Sequence, residues 1–377
     1  MIYINRLVKK NITAAIKANK VLLIYGARRV GKTVLMKQIA QEFSGKSLWM
    51  NGEDATTIRL LEERSIANYK RLFSDIGLLL IDEAHQIPDI GIKLKLMVDE
   101  IPGLCIIASG SSALSLLNQT MEPLTGRSFH FPIYPISQAE LAFTENHFET
   151  VNKLEERLIY GSYPEVLKTE NLEEKGRYLQ TIVNAYLYKD VLSIEGTRNS
   201  PKINDLLTLI AFQTGQEVSN EAVGRQLGLS KNTVEKYLDL LSRIYILFKL
   251  GGYSRNLRKE VSKHSKWYFY DNGIRNALIG DFSPLSIRSD TGALWENYLL
   301  AERVKKAGNE GETVDFYFWR TYDQQEIDMI EKQGNNLSAY EIKWKNDKAK
   351  VPVAWKNAYP DAQWKLINRE NYLDWIL

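Results

Sequence analysis

The sequence is poor in the features that would place it outside the cytoplasm or in a membrane. It has one cysteine, Cys105, in 377 residues, so no disulfide can form within one chain and a buried, inert thiol is expected. Residues 1–10 lack the apolar segment of a secretory signal. No apolar run approaches the roughly 18–20 residues that cross a bilayer. We therefore expect a soluble cytoplasmic protein with no membrane partner.

An excess of charge of either sign is also missing. The formal net charge is +3, from 49 basic and 46 acidic residues. This balance neither requires nor excludes nucleic acid as a partner, so any basic surface has to be local. The length allows several compact units, each with its own core.

The first third of the chain alternates short apolar runs with amphipathic stretches. The runs lie at residues 21–25, 47–50, 78–81 and 104–108. Short, continuous apolar runs are typical of parallel strands buried on both faces. The pattern predicts an α/β domain with a mostly parallel sheet.

A glycine-rich segment lies between the first of these strands and a predicted helix. It matches G-x-x-x-x-G-K-[ST] in full, with the residues Gly26, Ala27, Arg28, Arg29, Val30, Gly31, Lys32 and Thr33. Such a loop turns backbone N–H groups and a helix N-terminus toward phosphates. We expect ATP as the ligand, with Lys32 at the β- and γ-phosphates and the Thr33 hydroxyl on Mg²⁺. Arg28 and Arg29 either touch phosphate or are solvated surface side chains.

The ends of later strands supply the polar groups that hydrolysis needs. Asp82 and Glu83 end one strand, where Asp82 would hold Mg²⁺ through its water shell and Glu83 would polarise the attacking water. Ser109 ends the next strand and is expected to sense the γ-phosphate, or else to form a simple turn. Arg127 is a candidate arginine finger, in cis or from a neighbouring subunit of a homo-oligomer, with a structural ion pair as the alternative.

The string Asp-Glu-Ala-His at residues 82–85 also invites a helicase interpretation. A two-lobed helicase would need a second ATPase-type lobe with its own arginine motif. The remaining sequence shows no such lobe.

The middle of the chain carries the pattern of a helix-turn-helix. Ser219 is predicted to cap a helix that Gly228 ends, and Ser230 to cap a second helix over residues 231–244. Two helices joined by a short glycine-containing turn describe this motif. The run at residues 246–250 could start a wing.

The second helix of such a unit enters the major groove of DNA with its first residues near the bases. The side chains expected to contact bases or phosphates are Lys231, Asn232, Thr233 and Lys236. Nearby basic residues, at Arg255, Arg258, Lys259, Lys263 and Lys266, add positive charge. The alternative is a helical hairpin used for packing or for a protein contact, with its lysines solvated.

Several short motifs occur in a fixed order along the chain, at residues 26–33, 82–83, 109–114, 124–127, 135–141, 161–166 and 188–191. With these motifs the chain resembles a bacterial and archaeal family of AAA+-type ATPases whose C-terminal half is a domain of unknown function, DUF4143. The resemblance covers nearly the whole chain and implies an ATPase with a winged-helix segment and a nuclease-like tail. Ser162 departs from the second of the paired glycines more usual there.

The tail places acidic residues on a predicted helix and on three short strands at residues 314–320, 326–330 and 339–344. This arrangement resembles the PD-(D/E)xK nuclease core. The resemblance implies that Glu296, Asp328 and Glu341 hold Mg²⁺ and that Lys343 positions the attacking water. Asp328 lacks the preceding proline. The Glu-x-Lys pattern alone occurs mostly on exposed strands whose side chains form ion pairs. Nuclease-like cores are also often kept for binding after their catalytic activity is lost.

These observations predict four units. They are an AAA+-like P-loop ATPase domain at 1–150, a helical connector at 151–200, a winged helix at 201–266 and an α/β restriction-endonuclease-like domain at 267–377. The expected function is ATP binding and hydrolysis coupled to action on DNA, with or without strand cleavage. The alternative is an ATP-dependent switch that binds a protein partner and carries an inactive tail.

Overall fold

The computed structural model describes residues 4–110, 116, 119–120, 122–184, 200–254, 265–345 and 348–377. The chain forms two compact units. The first contains Met1–Tyr134 with Arg243–Tyr245, and the second contains Pro135–Ser242 with Ile246–Leu377. The division into four units therefore stays a prediction, because contacts group the residues into two.

The first unit is built on a five-stranded parallel sheet with the strand order β2-β3-β4-β1-β5. Its strands are β1 (Lys20–Tyr25), β2 (Ser47–Asn51), β3 (Leu78–Asp82), β4 (Cys105–Gly110) and β5 (Ser128–Pro132). The predicted α/β fold class is confirmed. Because all five strands run the same way, their carboxyl ends share one edge, where ligands of open α/β sheets bind.

Helices connect these strands and bury the sheet. They are α1 (Val8–Ala14), α2 (Lys32–Glu42), α3 (Ala55–Leu60), α4 (Ile66–Phe73) and α5 (Ile90–Glu100), with a short 3₁₀ turn at Ala84–Gln86. Strands β3 and β4 are buried along their whole length, which explains their unbroken apolar runs. Cys105 is buried, and burial raises the pKa of its thiol to about 11, as expected of an inert cysteine.

The second unit begins with a series of helices and carries further helices along its sheet. They are α6 (Gln138–Leu141), α7 (His147–Asn152), α8 (Leu154–Tyr160), α9 (Pro164–Lys168), α10 (Leu172–Ile182), α11 (Ser200–Phe212), α12 (Asn220–Leu227), α13 (Lys231–Arg243), α14 (Asn272–Ile279), α15 (Thr291–Glu310), α16 (Val353–Ala358) and α17 (Tyr372–Ile376), with a 3₁₀ turn at Leu285–Ile287. The motif at residues 188–191 lies outside the described residues.

The predicted caps of α12 and α13 are present. Ser219 Oγ accepts a hydrogen bond from Ala222 N (3.3 Å), and Ser230 Oγ accepts one from Thr233 N (3.1 Å). Gly228 ends α12 with a φ of 65°, the left-handed conformation that glycine adopts without steric cost. The local sequence therefore determines two capped helices joined by a short turn.

The second unit also contains a seven-stranded mixed sheet with the order β12-β11-β10-β9-β7-β8-β6. Its strands are β6 (Glu217–Val218), β7 (Leu247–Gly252), β8 (Ser265–Phe269), β9 (Asp315–Arg320), β10 (Glu326–Gln333), β11 (Asn336–Ile342) and β12 (Gln363–Ile367). Parallel pairing of β7 with β9 joins the strands after α13 to those of the tail. The expected boundary between residues 266 and 267 falls inside β8, because this long-range pairing leaves no mark in the local sequence.

The second sheet and the helices bear on two expectations, that there is no second ATPase-type lobe and no membrane-spanning segment. Over the described ranges the second sheet pairs mostly antiparallel strands, so it is no second ATPase-type lobe of the kind a two-lobed helicase needs. Every helix in the same ranges is too short or too polar to cross a membrane.

Candidate functional site

The glycine-rich loop leaves β1 at the carboxyl edge of the parallel sheet and enters α2 at Lys32. Gly31 precedes the helix with a φ of 100°, a conformation that L side chains rarely adopt. A Cβ atom added to Gly26 would lie 2.0 Å from Ile133 O. Glycine is therefore required at both positions, for backbone conformation at Gly31 and for close packing at Gly26.

The ammonium of Lys32 is held over this loop. Its Nζ donates hydrogen bonds to Gly26 O (3.0 Å) and Ala27 O (2.9 Å), and the residue is buried. The loop thus presents a fixed positive charge together with the N-terminus of α2, the combination that favours phosphate.

A continuous hydrogen-bonded chain joins α2 to the ends of β3 and β4. Thr33 Oγ1 donates to Asp82 Oδ2 (2.8 Å), Ser109 Oγ donates to Asp82 Oδ1 (2.5 Å), and Glu83 N donates to Ser109 Oγ (3.0 Å). Asp82 is only 7 % exposed. The structure therefore brings together the loop threonine, both carboxylates and the serine that the sequence singles out.

Glu83 combines an unusual backbone conformation with a largely buried carboxyl. Its φ of 48° is left-handed, which is uncommon for a residue other than glycine. Burial raises the pKa of its carboxyl, against the opposing effect of the Lys32 charge. His85 Nδ1 lies 3.3 Å from Glu83 Oε2. A carboxylate with a raised pKa at a phosphate-binding edge suits a general base.

The two arginines within the loop differ in exposure. Arg29 is exposed, whereas Arg28 is half-buried. The positive charge of Arg28 lowers the pKa of Glu83, although burial and the Lys32 charge act on it more strongly. A direct contact of either arginine with phosphate stays a prediction.

Two residues that support this site escaped sequence analysis. Arg6 is buried and donates to Val30 O (2.7 Å) and Tyr134 O (2.8 Å), which fixes the far side of the loop. Gly52 N donates to Asp82 O (2.7 Å), and a Cβ there would lie 2.3 Å from Glu83 O. The only signal for Gly52 is a glycine directly after β2.

Arg127 lies away from the loop. Its carbonyl accepts a hydrogen bond from Val21 N (2.9 Å) at the start of β1, whereas the loop follows the end of that strand. The six residues of β1, at ~3.3 Å each, separate the edge of the sheet where the strand starts from the edge where the loop begins. Arg127 Nε instead pairs with Asp99 Oδ1 at 2.6 Å. The structure therefore does not bring Arg127 to the loop of its own chain, and the ion-pair alternative is the one observed.

On the expectation that the loop hydrolyses ATP, Arg127→Ala should leave turnover within about twofold of wild type. An arginine finger is worth 10³ or more in rate, whereas a surface ion pair contributes only ~1 kcal/mol to stability. The measurement is steady-state phosphate release at several protein concentrations. A loss of more than about tenfold would contradict this expectation. If that loss depended on protein concentration, the arginine would act in a neighbouring subunit.

The side chains expected to contact DNA lie at the start of α13. Lys231, Asn232 and Lys236 are exposed and Thr233 is half-buried. Lys231, Asn232 and Lys236 border a groove of about 560 Å³ that is also lined by acidic residues of the same helix, Glu235 and Asp239. The basic residues Arg255, Arg258, Lys259 and Lys263 lie outside the described residues.

The acidic residues singled out in the tail form one cluster. Glu296 lies on α15, Asp328 on β10 and Glu341 on β11. Burial, reinforced by the charge of Asp328, raises the pKa of Glu296 to about 7, and burial and Asp328 also raise the pKa of Glu341. Asp328 Oδ2 accepts a hydrogen bond from Ile342 N (2.8 Å).

In this arrangement the oxygens of the cluster are engaged by donors of the protein itself. Over the described residues, no group of three or more histidine, cysteine, aspartate or glutamate side chains is arranged to hold a metal ion. Glu341 pairs with Lys343 at 2.6 Å, and Glu296 accepts a hydrogen bond from the Tyr268 hydroxyl at 2.6 Å. Lys266, expected on the winged helix, enters the cluster from β8 and pairs with Glu326. The motif in the tail gave no sign that this lysine would join the cluster.

Proteins of similar sequence occur in bacteria and archaea. An uncharacterized protein of Mycobacterium tuberculosis is 24% identical over 327 residues, which cover 86% of this chain and 70% of that protein. An uncharacterized protein of Methanocaldococcus jannaschii is 24% identical over 389 residues, covering 96% of this chain and 84% of that one.

The solved structures that match are less similar in sequence. A Walker-type ATPase of Pyrococcus abyssi is 15% identical with a TM-score of 0.49, covering 72% of this chain and 94% of that one. The RuvB Holliday junction branch migration motor of Thermotoga maritima is 17% identical with a TM-score of 0.30, covering 64% of this chain and 88% of that one.

Three protein families match successive parts of the sequence. An AAA domain matches residues 18–142, a domain of unknown function, DUF8612, matches residues 151–285, and another, DUF4143, matches residues 291–370. The first match spans the parallel sheet from just before β1 and includes the loop, Asp82, Glu83 and Ser109. The chain therefore joins an N-terminal AAA domain of the P-loop ATPase type to a C-terminal DUF4143 domain.

Proposed function

We propose that this protein binds ATP with Mg²⁺ and hydrolyses it at the carboxyl edge of its parallel sheet. The observation that carries the proposal is the hydrogen-bonded chain from Thr33 through Asp82 and Ser109 to Glu83, set beside a loop that holds Lys32. A phosphate cradle, hard oxygen donors and a base meet at this edge, and phosphoryl transfer needs these parts.

Each residue has a defined task in this proposal. The loop amides and Lys32 bind the phosphates, and Glu83 accepts the proton of the attacking water. Ser109 positions Glu83, because its hydroxyl accepts from Glu83 N. Thr33 and Asp82 supply adjacent hard oxygens that fit Mg²⁺. Bound there, Mg²⁺ would neutralise charge on the phosphates.

The test is phosphate release from ATP by the full chain, with Mg²⁺ and with excess EDTA. Turnover that requires the metal is expected. A chain that binds no nucleotide would overturn the proposal, and one that binds ATP without turnover would retain only its binding half.

The start of α13 supports a second proposal, that the ATPase acts on DNA. Lys231, Asn232 and Lys236 are exposed at the first turns of the second helix in a helix-turn-helix. Positive side chains at this place contact phosphate or base edges in such units. Glu235 and Asp239 face the same groove, so a phosphate backbone would be accepted only near the first turns.

We expect the full chain to bind a mixed-sequence duplex with an affinity that falls as salt rises, because phosphate contacts release counterions. Replacing Lys231 and Lys236 together with alanine should reduce the slope of log K against log salt by roughly 2. The measurement is fluorescence anisotropy across a salt series. The exposed pair Lys70 and Lys95, replaced in the same way, is the matched control.

No binding, or a flat salt profile, would overturn the DNA proposal. That result would favour the alternative function, an ATP-dependent switch whose exposed helix contacts a protein partner. The ATP measurements do not depend on which partner is correct, so the two proposals fail separately.

A further inference from the structure

Lys266 is a buried lysine on the face of β8 that looks toward the acidic cluster. Its side chain is 4 % exposed, and its Nζ lies 5.5 Å from the centre of the Phe318 ring. Tyr268 lies two residues further along the same strand, hence on the same face, and its hydroxyl reaches Glu296. A charge removed from water in this way is costly unless it is paired.

The partners of Lys266 are Glu326, on β10 beside the cluster, and Glu296 of the cluster itself. Its Nζ pairs with Glu326 Oε1 and lies 4.0 Å from Glu296 Oε1. Burial disfavours the charged form of Lys266, but Glu296, Glu326 and Asp328 outweigh it and raise the pKa of the ammonium. The buried ammonium is therefore paired by carboxylates of the protein itself.

Other cations lie beside the same group of carboxylates. Lys343 Nζ lies 2.6 Å from Glu341 Oε1, and Arg320 Nε lies 3.8 Å from Glu326 Oε2. Asp328 is engaged by a backbone amide. Each of these carboxylates is thus engaged by a donor of the protein, and within the described part of the chain no group of three or more is arranged to hold a metal ion.

We propose that Lys266 is a resident cation of the C-terminal cluster, paired with Glu326 and close to Glu296, one of the carboxylates that the nuclease resemblance assigns to Mg²⁺. The DUF4143 domain then needs no divalent ion, and it does not cleave nucleic acid by a metal-dependent route. The lysine acts as a structural counter-ion that joins β8 to α15 and β10. This inference goes beyond the ATPase function and is independent of it.

The test is Mn²⁺ binding by the nucleotide-free full chain, followed by electron paramagnetic resonance of the free ion. Wild type and Glu341→Gln are expected to bind Mn²⁺ alike, because the cluster contributes no site. Wild-type binding that is tighter than about 1 mM and is lost in Glu341→Gln would overturn the proposal. Mn²⁺-dependent cleavage of mixed DNA structures that is abolished by Glu341→Gln would also overturn it.

Removing the lysine is expected to increase the affinity of the cluster for Mn²⁺. Lys266→Met leaves the carboxylates without their cation, so Mn²⁺ affinity should rise at least tenfold over wild type and fall again in Lys266→Met with Glu341→Gln. Lys365→Met, which removes an exposed lysine from β12 of the same sheet, is the matched control and should gain nothing. A folded Lys266→Met variant with no gain would count against the proposal. If that variant fails to fold, the wild-type comparison decides.

Discussion

Glu83→Gln is expected to reduce ATP turnover by roughly 10²- to 10⁴-fold while ATP still binds. A positioned general base contributes rate increases of this size. Glutamine has nearly the same shape and keeps the backbone N–H that donates to Ser109 Oγ, but it cannot accept a proton from water. The measurements are steady-state phosphate release and the affinity for a fluorescent ATP analogue, made on the same preparation.

The matched control is Glu62→Gln, an exposed glutamate of the same unit, which should behave as wild type. Turnover retained within about tenfold in Glu83→Gln would remove Glu83 as the base. Loss of both binding and turnover would show instead that Glu83 shapes the loop.

The pH dependence of turnover follows from the same residue. Burial raises the pKa of Glu83, so its carboxylate form is lost at a higher pH than in an exposed glutamate. Because the base must be ionised, wild-type turnover should fall as pH decreases through this raised pKa. Glu83→Gln should lack this acidic limb in its residual rate.

The parallel sheet and the arrangement of the loop with Asp82 and Glu83 could be predicted because their signals are local. A strand buried on both faces must be continuously apolar, and β1, β3 and β4 are. The loop motif has a fixed spacing between β1 and α2, and Asp82 and Glu83 follow β3 directly. Residues that act together and lie close in sequence form a motif that can be recognised from the sequence alone.

Other features depend on pairing across the fold and could not be predicted. Arg127 precedes β5 by one residue, but only the parallel register of β5 with β1 places it at the edge opposite the loop. Gly52 contacts Glu83 only because β2 lies beside β3. In both cases the chemical type of the residue is uninformative without its neighbours in space.

The tail illustrates the same limit more sharply. The resemblance to the nuclease core implies a metal centre at Glu296, Asp328 and Glu341 with Lys343 beside it, and the fold does bring these residues into one cluster. The cation that faces them, Lys266, comes from β8, which enters this sheet through pairing of β7 with β9. A sequence motif identifies candidate ligands along the chain. It does not reveal a charged residue, such as Lys266, that another strand places beside them.

Lys32→Ala is expected to weaken ATP binding by about 10- to 100-fold and to remove measurable turnover. A hydrogen bond to a charged group is worth about 1.5–3 kcal/mol, and each 1.4 kcal/mol is a factor of ten. The loop carbonyls of Gly26 and Ala27 hold the ammonium where phosphates would approach, so the variant loses a positioned charge rather than a mobile one. Equilibrium binding of a fluorescent ATP analogue measures the effect.

Lys95→Ala is the control, since it removes an exposed lysine from α5 of the same unit. Unchanged binding and turnover in Lys32→Ala would refute the loop as the phosphate site. The two replacements separate the parts of the proposed reaction. Lys32→Ala should weaken binding as well as stop turnover, whereas Glu83→Gln should stop turnover with binding intact. Only a site that holds phosphate at the loop and does chemistry at the end of β3 gives both results.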